Sequence, residues 1–215
     1  MAHTFDTSAN VAGQTASSVT FSYTCGATAS ILILGITTAA SAGRSVGSPT
    51  YAGLAFTQAG STQTSGGNVG TSEIWYLLAP PTGTANSIVI PNTTTQTIAA
   101  VAASFICAPG LQSVLDVTGG GTGNSANPSV SVTTTSNGAA IFSMANDANT
   151  LTASGQTLIA SGANGGSNFA AGYSLQATSG AIAMSWTASN GRWASSVMAA
   201  RECSRNLSTL TGAGS

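Results

Sequence analysis

The residues that could carry chemistry are few in this chain. Its 215 residues include one histidine, three cysteines, five acids and four arginines, and there is no lysine. Acid–base or nucleophilic catalysis needs a histidine, a cysteine beside a base, or carboxylates within reach of one another. The single histidine, His3, lies near the N-terminus, where we expect it outside the folded core. We therefore expect a protein that is not an enzyme.

The three cysteines, Cys25, Cys107 and Cys203, are far apart and form no CxxC pair. Zinc sites are typically built from closely spaced cysteine and histidine ligands, so no metal or other cofactor is expected. Each cysteine ends an alternating apolar segment, which favours buried free thiols. A Cys25–Cys203 disulfide is the alternative, provided that the strands carrying these two residues are neighbours.

Two further segments resemble binding motifs but are better explained as turns or loops. Asn146, Asp147 and Asn149 carry oxygens of the kind that bind Ca²⁺. The same residue types are typical of Asx turns, which is the interpretation we favour. Residues 118–127 are rich in glycine but do not open a helix, so they predict a flexible loop rather than a phosphate-binding loop.

The chain is almost free of charge. Charged residues make up 4% of it, against about 25% in an average soluble protein, and the net charge is -1. Such a chain has no electrostatic field that would attract nucleic acid or an anionic membrane. No apolar segment reaches the roughly 20 residues of a membrane span. Glycine, alanine, serine and threonine supply more than half of the residues. Low charge gives weak protection against self-association, so we expect a homo-oligomer or a larger assembly.

Short segments of alternating polarity predict strands along most of the chain. In residues 19–25 the side chains of Val19, Phe21 and Tyr23 share one face, whereas residues 31–36 are apolar on both faces and predict a central strand. About a dozen such segments, with little or no helix, predict an all-β fold, an antiparallel β-sandwich of jelly-roll type. We expect an arm or edge strand over 1–18, a single sandwich over 19–205 and a flexible tail over 206–215. No internal repeat of the kind found in propellers or β-helices is visible.

Five phrases, in this order, resemble a known family. They are Val19-Thr-Phe-Ser-Tyr-Thr-Cys, Ile31-Leu-Ile-Leu-Gly-Ile, Thr50-Tyr-Ala-Gly-Leu-Ala-Phe-Thr-Gln-Ala-Gly-Ser, Glu73-Ile-Trp-Tyr-Leu-Leu-Ala-Pro-Pro-Thr-Gly-Thr-Ala and Arg192-Trp-Ala-Ser-Ser-Val-Met-Ala-Ala-Arg. Together they resemble jelly-roll or concanavalin-like β-sandwich domains of bacteriophage structural proteins and bacterial surface proteins. The resemblance implies a role in attachment or assembly, and it implies no active site.

The resemblance and the composition favour a virion structural protein, most simply one that decorates or cements a phage capsid. The N-terminus lacks the basic and apolar regions of a signal peptide, so we expect synthesis in the host cytoplasm and function in the virion. The expected partners are the major capsid protein or another virion protein. The alternatives are a carbohydrate-binding or host-attachment module of a tail fibre, with a glycan as ligand, and then a bacterial surface adhesin.

The residues most suited to contact a partner lie in the termini and loops. Trp193 follows the Asn-Gly-Arg turn directly, and we expect it to be partly exposed. The full set of candidate contact residues is His3, Phe5, Arg44, Trp193, Arg201 and Arg205.

Overall fold

The computed structural model describes residues 2–39, 46–67, 69–92, 94, 96–108 and 111–204, without the side chains of Glu202 and Ser204. Every regular element in these ranges is a β-strand, and all pairs of strands run antiparallel. The predicted all-β, antiparallel class is therefore confirmed. Nowhere in this part of the chain does a helix occur that could cross a membrane.

The described strands fall into two groups along the chain. The first group is β1 (Thr4–Thr15), β2 (Ser18–Tyr23), β3 (Ala29–Ala39), β4 (Thr50–Tyr51), β5 (Leu54–Ala55), β6 (Thr57–Thr64), β7 (Thr71–Leu78), β8 (Asn86–Pro91) and β9 (Thr97–Ile106). The second group is β10 (Gln112–Ser125), β11 (Ser129–Thr134), β12 (Ala139–Asp147), β13 (Thr152–Ser154), β14 (Thr157–Asn164), β15 (Ser167–Gln176), β16 (Gly180–Thr187) and β17 (Gly191–Ser204).

Each group forms one five-stranded sheet and one smaller sheet. The first group has the orders β1-β9-β3-β7-β6 and β2-β8-β4-β5, and the second has β10-β17-β12-β15-β14 and β11-β16-β13. The two sets of orders correspond when β1 is matched to β10 and the strands are followed in sequence, with β6 matching β14. The one difference is β5, the additional edge strand of the small sheet in the first half. The chain is thus a structural repeat, and we call residues 4–106 the first half and residues 112–204 the second half.

This repeat changes the expected domain organisation. Residues 19–205 were expected to form a single sandwich, but they contain most of two sandwiches with the same strand order. The N-terminal residues are the edge strand β1, which pairs with β9 and completes the first half. The expected tail over 206–215 lies outside the described residues.

Four sheets pack in layers around three apolar interfaces. The two five-stranded sheets face each other in the middle, through Ile31, Ile33 and Phe105 of the first half and Phe142, Met144 and Met198 of the second. Each five-stranded sheet is covered on its other face by the small sheet of its own half. Strands β3 and β12 are consequently buried at every residue. This explains why residues 31–36, predicted as a central strand, are apolar on both faces.

The close approach of the two central sheets depends on Gly35. A Cβ atom at this position of β3 would lie 2.8 Å from Cε1 of Phe142 and 2.9 Å from Cβ of Met144, both on β12. These distances are shorter than carbon atoms tolerate, so a side chain at position 35 requires the sheets to move apart. The large side chains of the second half therefore fill space that the first half leaves empty.

Glycine has a similar role in β10, where the sequence predicted a flexible loop. Residues 118–125 are part of β10 and pair along their length with β17, so the prediction of a loop is wrong. A Cβ at Gly119 would lie 2.7 Å from Val132, and one at Gly123 would lie 2.7 Å from the ring of Trp193. The glycines thus admit neighbouring side chains against the strand instead of breaking it.

Candidate functional site at the cystine end

The ends of strands from both halves meet at one end of the molecule. Strand β1 begins opposite the end of β9, with Thr4 paired to Ile106, and β10 begins opposite the end of β17. A disulfide between Cys107 and Cys203 joins these two pairs of strands, with Cα atoms 5.7 Å apart. We call this region the cystine end. It contains the chain's only histidine and two of its three cysteines.

The disulfide corrects the expectation for the cysteines. Free thiols were expected, with Cys25–Cys203 as the alternative pair, but the bond joins Cys107 to Cys203 and leaves Cys25 free and buried. Cys25 follows β2 of an outer sheet, whereas β17 lies in a central sheet beside β10 and β12, so the two strands are not neighbours. Burial raises the pKa of the Cys25 thiol to about 11, which keeps it protonated and unreactive at neutral pH.

His3 is buried at the cystine end, so its expected place outside the core is wrong. Only 2% of its surface is exposed. Its Nδ1 lies 3.1 Å from the carbonyl oxygen of Gly138, which is only an acceptor, so Nδ1 carries the proton. Burial lowers the pKa of the imidazole, which is therefore neutral at pH 7, and Nε2 presents a lone pair.

Two serines complete a hydrogen-bonded chain around the histidine. The hydroxyl of Ser113 donates to Nε2 of His3 over 2.9 Å, and Ser30 lies 2.7 Å from Ser113. The Ser30 oxygen is also 3.1 Å from the sulfur of Cys107, and that sulfur is 3.5 Å from the Ser113 oxygen. Every polar group in the cluster therefore contacts another one or the disulfide.

The cluster combines a hydroxyl–imidazole pair with a disulfide. A serine that donates to a neutral imidazole, itself oriented through its other nitrogen, has the arrangement of a nucleophile and its base. Ser113 is only 2% exposed, however, so its oxygen faces the protein interior. Access is better on the other side, where a cavity of about 270 Å³ is lined by residues including Ser30 and Cys107. The disulfide sulfur of Cys107 thus borders a cavity, and the chemistry that the arrangement best supports is redox chemistry or metal binding.

The other candidate contact residues do not lie together in one region of the structure. Arg44 and Arg205 lie outside the described residues. Arg201 is exposed near the end of β17, at the cystine end. Phe5 is half-buried in β1, where its ring stacks on Tyr173 of the second half with ring centroids 4.6 Å apart. Phe5 therefore packs within the protein, and Arg201 is the described candidate most available to a partner.

Trp193 differs from the expectation of partial exposure. It is 9% exposed, and its indole N–H donates to the hydroxyl of Ser125 over 3.2 Å. The other two tryptophans, Trp75 and Trp186, are 7% and 0% exposed. The expectation for Trp193 is wrong because Gly123 on the neighbouring strand leaves space for the ring.

The four acids whose side chains the structure describes support local structure. Each accepts hydrogen bonds from nearby groups: Asp6 from Gly26 and Ser104, Glu73 from Val46 and Trp75, Asp116 from Thr135, and Asp147 from Asn149. The backbone N–H of Asn149 lies 2.7 Å from Oδ1 of Asp147, which is the Asx turn favoured from the sequence. Asn146 donates instead to Ser167, and successive strand residues point to opposite faces, so Asn146 and Asp147 do not converge on one ion.

Sequence reasoning missed both serines of the cluster. Ser30 and Ser113 are 83 residues apart, and neither lies in a recognisable motif. His3 reaches Gly138 across 135 residues and Ser113 across 110. Only the pairing of β1 with β9 and the packing of the two halves bring these residues together. One signal for this site is that Cys107 and Cys203 each lie at the end of the last strand of a half. This signal can be recognised only when the repeat is known.

Comparison of the chain with models of protein families, with curated proteins and with solved structures finds no match. The family resemblance drawn from the five phrases therefore stays a prediction.

The buried histidine predicts a specific pH dependence of stability. The folded state holds the pKa of His3 below the usual 6.5, so below about pH 6.5 the unfolded chain binds a proton that the folded chain does not. The free energy of unfolding should therefore fall with decreasing pH, with a slope of at most about 1.4 kcal/mol per pH unit. Denaturant titrations of the wild type between about pH 5 and 8 measure this slope.

A His3→Gln variant is the control, because it removes the only imidazole. We expect its stability to be flat over most of this range. Asp147, whose pKa burial raises, acts with the opposite sign at lower pH, since its folded form takes up the proton first. Equal slopes in the wild type and in His3→Gln would contradict the assignment of a buried neutral histidine.

Proposed function

We propose that this chain is a non-enzymatic structural protein of a virus particle, which binds and stabilises the outer surface of a bacteriophage capsid. The observation that carries the proposal is a tandem of two similar sandwiches with a surface almost free of charge. Among the acids, the arginines and the histidine whose side chains the structure describes, Glu73, Asp147 and His3 are buried, and Arg192 and Arg201 are exposed. Such a surface suits broad packing against a neighbour better than steering of a charged ligand.

The strand order adds support at the level of the fold. We propose that each half, whose strands are divided between two sheets, has the topology of a jelly roll. Jelly rolls are frequent in viral capsid proteins and in lectins. A shared fold favours a class of protein without defining a site.

The proposed contact surface is the cystine end. Leu78 and Leu175 are 41% and 44% exposed, and they occupy equivalent positions at the ends of β7 and β15. Leu78 pairs with Ile31 and Leu175 with Ala140, in the last rows of the two central sheets. The two exposed leucines, together with Arg201 near the end of β17, give the apolar anchors and the cation that are frequent at protein interfaces. The partner is the major capsid protein or another virion protein, with copies of this chain as neighbours.

The disulfide fits a protein that is made in the host cytoplasm and acts in the released virion. Disulfides persist in oxidising surroundings and are rare in the cytosol. The carbohydrate-binding alternative receives less support, because the tryptophans that would stack on a sugar ring are all buried.

Co-sedimentation with purified capsids of the virus that encodes the chain tests the proposal. The wild type should bind saturably, and the double variant Leu78→Asp/Leu175→Asp should bind at least about tenfold more weakly, a loss of about 1.4 kcal/mol. Leu54→Asp is the matched control, since Leu54 is 48% exposed but lies in an outer sheet.

Three results would count against the proposal. They are a monodisperse monomer in light scattering that fails to bind capsids, equal binding by the double variant, and a glycan array that yields a specific ligand without capsid binding. The last result would favour the attachment module.

A further inference from the structure

We propose that, when the Cys107–Cys203 disulfide is reduced, His3 and the two cysteines form a binding site for a thiophilic divalent cation of the zinc type. The disulfide and the bound metal are then alternative states of the same three residues. This inference rests on the geometry of the cystine end alone, and it is independent of the proposed function.

The three residues present suitable ligand atoms at short range. One nitrogen of His3 and the sulfurs of Cys107 and Cys203 all lie within 4.8 Å of one another, and all three side chains are buried. Two thiolates and one imidazole are the protein ligands of a known type of zinc site, in which the fourth position stays open for water or another ligand. The Cα atoms of the cysteines are 5.7 Å apart, so the sulfurs can separate without a large movement of the backbone.

The histidine is already oriented for this role. Its Nδ1–H donates to the carbonyl oxygen of Gly138, which fixes the tautomer and leaves Nε2 as the lone-pair nitrogen. Metal-binding histidines typically use their other ring nitrogen in this way. On the Nε2 side, Ser113 contacts both Nε2, at 2.9 Å, and the sulfur of Cys107, at 3.5 Å. Ser30 lies 3.1 Å from the same sulfur. Both hydroxyls are therefore placed to donate to a thiolate.

The chemistry balances with a thiol as the reductant. Two thiol molecules reduce the disulfide by two electrons, become a disulfide themselves and leave Cys107 and Cys203 as thiols. Both thiols then lose a proton when the cation binds, as coordination requires. The cytosol supplies such thiols, whereas an oxidising exterior favours the disulfide. The cavity of about 270 Å³, which Ser30 and Cys107 line, provides a path for the ion.

Cobalt is the probe for the test, because tetrahedral Co²⁺ bound to sulfur and nitrogen absorbs visible light strongly. The full-length protein is reduced without oxygen by a phosphine and titrated with Co²⁺, while circular dichroism follows the fold. We expect the reduced wild type to bind one Co²⁺ per chain with a tetrahedral spectrum, Zn²⁺ to displace it, and the disulfide form to give no signal. In mass spectra, Zn²⁺ should protect Cys107 and Cys203 of the reduced chain from alkylation.

Three variants separate this site from other thiols. Cys107→Ser should abolish the spectrum, and His3→Gln should weaken Co²⁺ binding at least about tenfold, since even losses of groups that only support a ligand cost 10- to 100-fold. Cys25→Ser is the control and should bind like the wild type, because Cys25 is separate from the cluster.

Several outcomes would overturn the proposal. They are a folded, reduced wild type that gives no tetrahedral spectrum, unfolding of the reduced chain that neither Co²⁺ nor Zn²⁺ reverses, unchanged affinity in His3→Gln, and loss of binding in Cys25→Ser.

Discussion

Removal of the Cys107–Cys203 disulfide is expected to lower the free energy of unfolding by about 4 to 5 kcal/mol. The bond spans 96 residues, so it closes a loop that contains nearly the whole second half. In the chain-entropy model, a cross-link across about 100 residues destabilises the unfolded state by about 4.7 kcal/mol. Guanidinium titrations of the oxidised wild type and of the double variant Cys107→Ala/Cys203→Ala measure the difference, in the absence of added metal.

Cys25→Ala is the control for this experiment. Cys25 is free, so the variant should still lose the same 4 to 5 kcal/mol when a reductant is added, as expected from the chain-entropy model. Peptide mapping without reduction should find Cys107 joined to Cys203. A change below about 1 kcal/mol on loss of the bond would mean that the unfolded chain is not constrained by it.

Phe142→Ala is expected to lower the free energy of unfolding by about 3 to 5 kcal/mol, the usual cost of truncating a buried aromatic side chain. Phe142 is fully buried between the two central sheets, so the cavity would open where the halves meet. Leu158→Ala is the control. Leu158 is 44% exposed, and its loss should change stability by no more than about 0.5 kcal/mol.

The contact between Phe142 and Gly35 should appear as a coupling energy in a double-mutant cycle. Gly35→Ala alone overfills the interface, because the new Cβ would lie 2.8 Å from Phe142, and should cost about 1 to 3 kcal/mol. In the Phe142→Ala background this clash is gone, although the one with Met144 remains, so Gly35→Ala should cost less. Strictly additive losses would contradict direct packing of these two residues.

The central strands could be predicted from the sequence because their patterns are local. Residues 31–36 are apolar on both faces and form the middle of β3, and the alternation of residues 19–23 matches β2. Each of these predictions used only the preferences of adjacent side chains, which the layered packing then satisfies.

The repeat and the cystine end could not be predicted in this way. Gly35 in β3 and Met144 in β12 are equivalent by strand register, yet nothing about their side chains is similar. The pairing of cysteines depends on which strands become neighbours, and sequence alone leaves it open. His3 was misplaced for the same reason, since its burial depends on contacts more than a hundred residues away.

The difference between Gly35 and Met144 gives the two inner faces a directional fit. Two first halves would place glycine against glycine and leave an unfilled cavity, whereas two second halves would force Phe142 and Met144 into the space that their counterparts occupy. Each face is complementary to the other and not to itself. The two halves therefore pack like the two different subunits of a heterodimer, although they belong to one polypeptide. If halves were exchanged between chains, each pair would have to consist of one first half and one second half.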